Sequence, residues 1–188
     1  MDEIKSKISL NRPKLLTVEF HEDDPVKCTS AKMSKFRLAR SIRINQIPPH
    51  SIVLNPFAPD VLLKSDNISV QHGGLVVIDC SWANATPHFK RRLSGIQRRL
   101  PALMAGNPTN YSRVGALSSL EASAAALSIL GLHDYSKKLL SLYKWGETFL
   151  SLNENALKDY EAAQSQDEVR ALELDYFPQL SKQNLTKS

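Results

Sequence analysis

Cysteine is almost missing from this sequence. The 188 residues include only Cys28 and Cys80, too few for a disulfide framework and in keeping with a reducing compartment. There is no Cys-x-x-Cys and no paired histidine, so the ligand spacing of a structural zinc site is lacking and no metal is expected. No stretch approaches the roughly 18 apolar residues of a membrane span. The opening MDEIKSKISLNRPK has no apolar core of the kind a secretory signal needs. A cytoplasmic protein that does not engage membranes is therefore expected. Gly-x-Gly-x-x-Gly and the P-loop are absent, which removes the common nucleotide fingerprints. So is Gly-x-Ser-x-Gly, the nucleophile elbow of α/β hydrolases.

What is present is an ordinary globular composition, 42% hydrophobic and 23% charged, long enough for one large domain or two small ones. The net charge of +5 is unevenly placed. Residues 1–100 hold 16 Lys and Arg against 9 Asp and Glu, and residues 101–188 hold 8 against 10. A basic half joined to a nearly neutral half suggests a polyanionic partner for the first half, although a charge of this size also serves solubility.

Lys14–Phe20 reads as a strand, Ser30–Arg40 as a short helix and Ser51–Leu54 as a brief strand between prolines. Leu62–Gly74 reads as polar and turn-like. Leu75–Asp79, LVVID, is a continuous apolar run of the type buried on both faces of a sheet. Leu100–Ala105 reads as strand-like and GNPTNYSRVG as a loop. From Ser118 the pattern turns helical, with Gly131 as a stop. Further helices are expected over Asp134–Leu152 and Glu154–Leu174, and a disordered tail over 181–188. Strands thus precede helices, giving an α/β N-terminal domain to about residue 95 and a helical domain over 96–180.

Four places carry candidate chemistry. In Val76–Trp82 a buried strand ends in Asp79, where open parallel sheets collect ligands. There Asp79 can face a ligand cation and Trp82 can cover an apolar or cationic group; equally, Asp79 can cap a turn and Trp82 can be core. In Leu100–Ala122, Ser118 and Glu121 fit a capping box. The Asn107–Tyr111 loop before it can present backbone groups to a heterocycle, or Tyr111 can simply anchor the loop. In Asp24–Ser30, the amides and the Thr29 hydroxyl ahead of a helix can receive a carboxylate, or Thr29 or Ser30 can just cap it. Finally, Lys90, Arg91, Arg92, Arg98 and Arg99 fall within ten positions with no acid between them, and Lys32, Lys35, Arg37, Arg40 and Arg43 form a second cluster. A charge run is usually a solvated face. Two runs with Phe36, Trp82 and Phe89 nearby favour RNA.

Four ordered blocks, DPVKCTSAKM, GGLVVIDCSWA, RRLPALMAGNPTNYSRVGALSSLEASAAAL and YKWGETFLSLNENAL, make the chain resemble the small-subunit ribosomal RNA aminocarboxypropyltransferases of archaea and eukaryotes over about Leu15–Tyr160. The resemblance implies a parallel sheet with a SPOUT-like deep trefoil knot in the N-terminal domain, followed by an all-helical C-terminal domain that completes the cofactor site. It implies transfer of the 3-amino-3-carboxypropyl group of S-adenosyl-L-methionine to position 3 of a 1-methylpseudouridine in small-subunit rRNA, leaving 5′-methylthioadenosine. The expected partner is that rRNA or a pre-ribosomal particle, and the expected state a monomer. Donor contacts are implied at Thr29 (carboxylate end), Ile78 (ribose), and Leu100, Gly115 and Ser119 (adenine region). Asp79 and Trp82 fall at characteristic positions and are the catalytic candidates; Glu121 matches a further one.

The sequence also departs from the family pattern. Gly106 and Ser112 stand where Ala and Gly are usual, and the loop through Gly115 lacks its usual proline. Since the methyl is the least hindered carbon on a sulfonium, transfer of the longer arm is a positioning problem. On this reading Trp82 and Ala85 shield the methyl, Thr29 holds the carboxylate, and Asp79 faces the sulfonium or takes the base's imino proton. Two other functions fit the same chain: a SPOUT-type RNA methyltransferase, and a non-catalytic RNA-binding assembly factor.

Overall fold

The computed structural model describes residues 12–20, 29–82 and 85–181. Most of the Asp24–Ser30 loop and residues 182–188 of the expected tail lie outside the described residues. Ser181 itself is in a turn on Pro178.

The sheet has five parallel strands in the order β2-β1-β4-β3-β5. These are β1 (Leu15–Glu19), β2 (Arg40–Ser41), β3 (Ile52–Leu54), β4 (Leu75–Asp79) and β5 (Ile96–Arg98). β4 is central: Leu75–Asp79 pairs with Leu15–Glu19 on one side, and Leu75–Val77 with Ile52–Leu54 on the other. The alternation of side chains along a strand splits the apolar residues between two faces. Leu15, Ile52, Leu54, Leu75 and Val77 enter the larger core. Leu16, Val18, Val53, Val76 and Ile78 enter the smaller one with Ile47 and Phe89. Both faces are covered, as parallel sheets require, so the run LVVID carries no polar alternation.

The helices are α1 (Thr29–Lys35), α2 (Asn67–Gly73), α3 (Ala85–Lys90), α4 (Ser119–Ile129), α5 (His133–Leu140), α6 (Gly146–Ala162) and α7 (Gln166–Tyr176). The larger core joins the sheet to Leu120, Ala124, Leu127 and Ile129 of α4 and to Phe149 and Tyr160 of α6. α1 stops short of Arg40: Arg37 turns into the left-handed region at φ 56°, and the Leu38 and Ala39 amides both bond back to the Met33 carbonyl.

Several sequence expectations change. The turn-like 62–74 segment contains α2. It buries Val70 as its one large apolar side chain, too few to print a helical period. The expected helix Asp134–Leu152 is two helices, α5 and α6, separated by turns in which Leu142 and Tyr143 bond back to Leu139 and Leu140. The expected helix Glu154–Leu174 breaks at Ala163–Ser165, where the Ser165 hydroxyl caps the Glu168 amide of α7. β2, α3 and β5 were concealed by charged sequence. β5 is an edge strand, and its one charged residue, Arg98, suits that position.

Leu100–Ala105 is not a strand. Its backbone is satisfied by one antiparallel bridge, Met104 to Val114, by loop bonds such as the Gly115 amide to the Leu103 carbonyl, and by side chains. The buried Asn153 carboxamide accepts from the Met104 amide and donates to its carbonyl, both at 2.8 Å. Gln166 does the same for Val61, at 2.6 and 2.7 Å. Two carboxamides from the helical half thus stand in for missing strands. Asn153→Ala should cost about 3 kcal/mol, since a lost hydrogen bond is cheap but a stranded buried amide is not. The urea unfolding midpoint measures it, and a variant within about 0.5 kcal/mol of wild type would contradict the assignment.

Candidate active site

A cleft of about 1340 Å³ opens at the carboxyl end of the sheet, where parallel α/β sheets bind ligands. Thr29, Ile78, Asp79, Trp82, Arg99, Leu100, Gly115 and Ser119 all line it. Residues read separately from the sequence therefore share one cavity. Lys90, Arg91 and Arg92 lie outside it, exposed at the end of α3 and beyond.

Asp79 ends β4 and ties three elements together. Its Oδ2 accepts from the Ser30 hydroxyl of α1 at 2.6 Å, and its Oδ1 accepts a short bond from the Ser119 hydroxyl of α4. Thr29 completes the junction, its hydroxyl accepting from the Leu120 amide at 3.3 Å. Two helix N-termini thus converge on a strand-end carboxylate, placing positive dipole ends around fixed negative charge. The Trp82 indole donates to the Leu117 carbonyl at 3.2 Å, while the ring stays 49% exposed. Trp82 is accordingly a wall of the cleft and not core.

The loop between Ala105 and Ser118 is governed by Glu121. The capping box read from sequence is real: the Ser118 hydroxyl accepts from the Glu121 amide, and the Glu121 carboxylate accepts from the Ser118 amide at 2.8 Å. What the motif did not reveal is the rest of that carboxylate's work. It also accepts from the Ser118 hydroxyl (2.8 Å), the Gly106 and Asn107 amides (2.7 and 2.9 Å) and the Asn107 side-chain amide (2.7 Å). Glu121 is fully buried, and these donors replace its hydration.

The loop positions at and beside the departures from the family pattern have distinct backbone settings. A Cβ at Gly106 would come within 2.7 Å of the Phe149 backbone, so α6 sits against this loop more closely than an alanine would permit. Ser112, at φ 63°, occupies the left-handed region that a glycine would take without strain. Gly115, at φ +78°, needs glycine for its backbone and not for space, because no heavy atom lies within 4 Å of an added Cβ.

The expected basic cluster divides. Arg98 Nε lies 3.1 Å from Asp66 and its Nη1 lies 3.6 Å from Asp60. Arg99 makes a two-pronged pair with Glu173 at 2.7 and 2.8 Å, and Glu173 also accepts from the Ala102 amide. Both arginines, expected as RNA contacts, are thus ion-paired to carboxylates more than 30 residues away in sequence. Glu173, Asn55, Tyr143 and Trp145 also line the cleft and were not singled out from the residues; Tyr143 and Trp145 lay inside a recognised block without a role. Among the described residues, no three His, Cys, Asp or Glu side chains group as a metal site would need.

Glu121→Gln keeps the size but turns an NH₂ group toward hydrogen-bond donors. It should lower stability by about 3 kcal/mol or more, read from the urea midpoint. A change below about 0.5 kcal/mol would show that the loop does not depend on this carboxylate.

Comparisons with known proteins agree with this geometry. Residues 52–177 match the family model described as Ribosome biogenesis protein, C-terminal. A 16S rRNA aminocarboxypropyltransferase of Thermoplasma volcanium is 42% identical over 156 residues, 83% of this chain and 93% of that protein. The enzyme of that name from Methanocaldococcus jannaschii is 38% identical, covering 89% of this chain and 98% of its own length. The solved structure of the SAM-dependent rRNA:acp-transferase Tsr3 from Vulcanisaeta distributa matches with a TM-score of 0.78 at 34% identity, over 87% of this chain and 97% of that one. With its strand-end carboxylate, its cleft and four sequence blocks in order, the chain belongs to the 16S rRNA aminocarboxypropyltransferase family.

Proposed function

We propose that this protein transfers the 3-amino-3-carboxypropyl group of S-adenosyl-L-methionine to position 3 of a 1-methylpseudouridine in small-subunit rRNA during ribosome biogenesis. One observation carries the reading: Thr29, Ile78, Leu100, Gly115 and Ser119, the five expected donor contacts, line a single cleft with Asp79 and Trp82. The cleft walls suit such a donor. Leu54, Pro56, Leu100 and Leu117 offer apolar surface, the Asp79 carboxylate offers negative charge, and the Thr29 end offers helix N-terminal amides.

The donor supplies an electrophilic γ-carbon on a positively charged sulfur. As the N3–carbon bond forms, the carbon–sulfur bond breaks, the sulfur departs as the neutral thioether of 5′-methylthioadenosine, and the imino proton of the base passes to solvent water. The protein's task is aim. Thr29 holds the carboxylate of the arm and Trp82, fixed through Leu117, shields the methyl; the side chain of Ala85, its expected companion, lies outside the described residues. Asp79 is held by Ser30 and Ser119, which suits a fixed charge facing the sulfonium better than a mobile base. The positive charge disappears on transfer, so Asp79 contributes mainly to donor binding.

The finer expectations belong to the same proposal. The basic unit 1–95 carries the trefoil knot, and it and the unit 96–180, which begins with β5 and is helical from α4 on, each supply part of the cleft lining. Exposed Lys90, Arg91 and Arg92 meet RNA phosphates, and Arg98 and Arg99, held by their carboxylate partners, extend the same basic surface. The protein acts as a cytoplasmic monomer. No helix among the described residues is long and apolar enough to cross a membrane.

Incubation with S-adenosylmethionine and small-subunit rRNA from cells lacking this activity should release methylthioadenosine. S-adenosylhomocysteine would identify a methyltransferase instead, and neither product would identify a binding factor. Asp79→Ala should weaken donor binding by about tenfold or more in calorimetry, the value of one lost charge contact. Unchanged affinity and turnover would remove Asp79 from the mechanism.

A further inference from the structure

We propose that Tyr143 and Trp145 form a stacking platform for a nucleobase of the acceptor RNA beside the donor. The proposal rests on the transferase reading and adds the place where the acceptor lies. The cleft holds about 1340 Å³, more than the roughly 300–1,000 Å³ of a pocket for one small molecule. Tyr143 and Trp145 line it, and they lie between α5 and α6, on a wall distinct from Ile78 and Asp79.

The two rings are stacked, with centroids 4.8 Å apart and planes inclined by 27°. The Lys32 ammonium sits 3.8 Å from the Tyr143 centroid and also donates to the Leu142 carbonyl at 2.6 Å. A cation and an indole at these distances cannot share one face of a phenol ring. Tyr143 is therefore held between them, and Trp145, which lines the cleft, is the ring assigned to the base. Both aromatics are half-buried and pack against the core.

Position and charge identify the occupant. Lys32 follows Thr29 by one turn of α1, so the stack stands near the residue assigned to the arm that is transferred. The acceptor base has to arrive at that end of the donor. Lys144, between the two aromatics, and Lys35, on α1, are both exposed. Aromatic rings interleaved with lysines recognise single-stranded RNA, the rings by stacking and the ammonium groups by phosphate contact. A purely apolar ligand would gain nothing from those charges.

The test uses direct binding of a fluorescent RNA oligonucleotide containing 1-methylpseudouridine. Trp145→Leu should weaken that binding by about tenfold or more, the usual value of one stacked base. Trp145→Phe should restore most of it, and S-adenosylmethionine affinity by calorimetry should stay within about twofold of wild type in both. In a Trp82→Phe background, where Trp145 is the only tryptophan left of the two, adding the oligonucleotide should quench indole emission. Undiminished RNA binding by Trp145→Leu, or an unquenched indole, would overturn the platform. A wild-type protein that binds the RNA and releases no methylthioadenosine would defeat the transferase reading while the stacking result stood.

Discussion

A single buried carboxylate holds the site's shape. Glu121 is removed from water and accepts five hydrogen bonds from Gly106, Asn107 and Ser118. Burying such a charge alone would cost several kcal/mol, and each donor to an ionised acceptor returns roughly 1.5–3 kcal/mol. The balance favours folding only when the donors arrive together. That makes the loop cooperative: the turn at Gly106–Asn107 and the start of α4 are set at once. The N-terminus of α4 then presents Ser119 to Asp79 and the Leu120 amide to Thr29. The cleft wall is thus inherited from one side chain that never touches the cleft.

The legible parts of the fold were those whose signal is local. LVVID reads as a buried parallel strand because both its faces are apolar, and Ser118–Glu121 reads as a helix start because its capping bonds span three residues. The strand-end placement of Asp79 followed from the first and the loop-to-helix switch from the second. Signals split between distant segments were not legible. β5 looked like a basic patch because Arg98 and Arg99 find their acids in the 60–66 segment and at Glu173. The break between α5 and α6 was hidden because Leu139, Leu142, Tyr143 and Phe149 keep a helical spacing across it. The second role of Glu121 needed the Gly106–Asn107 turn folded against it, which a four-residue motif cannot announce.

The helical half supplies backbone partners as well as cover. Asn153 pairs with Met104, Gln166 with Val61, and Glu173 with Ala102 and Arg99. Each takes a polar group that a longer sheet would have satisfied. The segment 100–105 can then run beside the sheet without joining it, leaving Leu100 and Pro101 facing the cleft. Tyr160 adds a further bond to the Ala102 carbonyl, and burial together with nearby Glu173 pushes its hydroxyl well above the ordinary tyrosine pKa. The phenol therefore stays neutral and donating throughout the physiological range.

These attachments bear on how a sulfonium donor can be made to give up its bulkiest useful carbon. Selectivity among three carbons on one sulfur cannot come from affinity, because all three are bound together. It has to come from which carbon faces an acceptor. A loop free to shift by an ångström would blur that choice, since a near-attack geometry tolerates little displacement. Here the strand-end carboxylate is held by Ser30 and Ser119, the indole by Leu117, and the loop by Glu121. Rigidity is built into each wall separately, from bonds made before any ligand enters. Selection of the longer arm then follows from the shape that these bonds give the cleft.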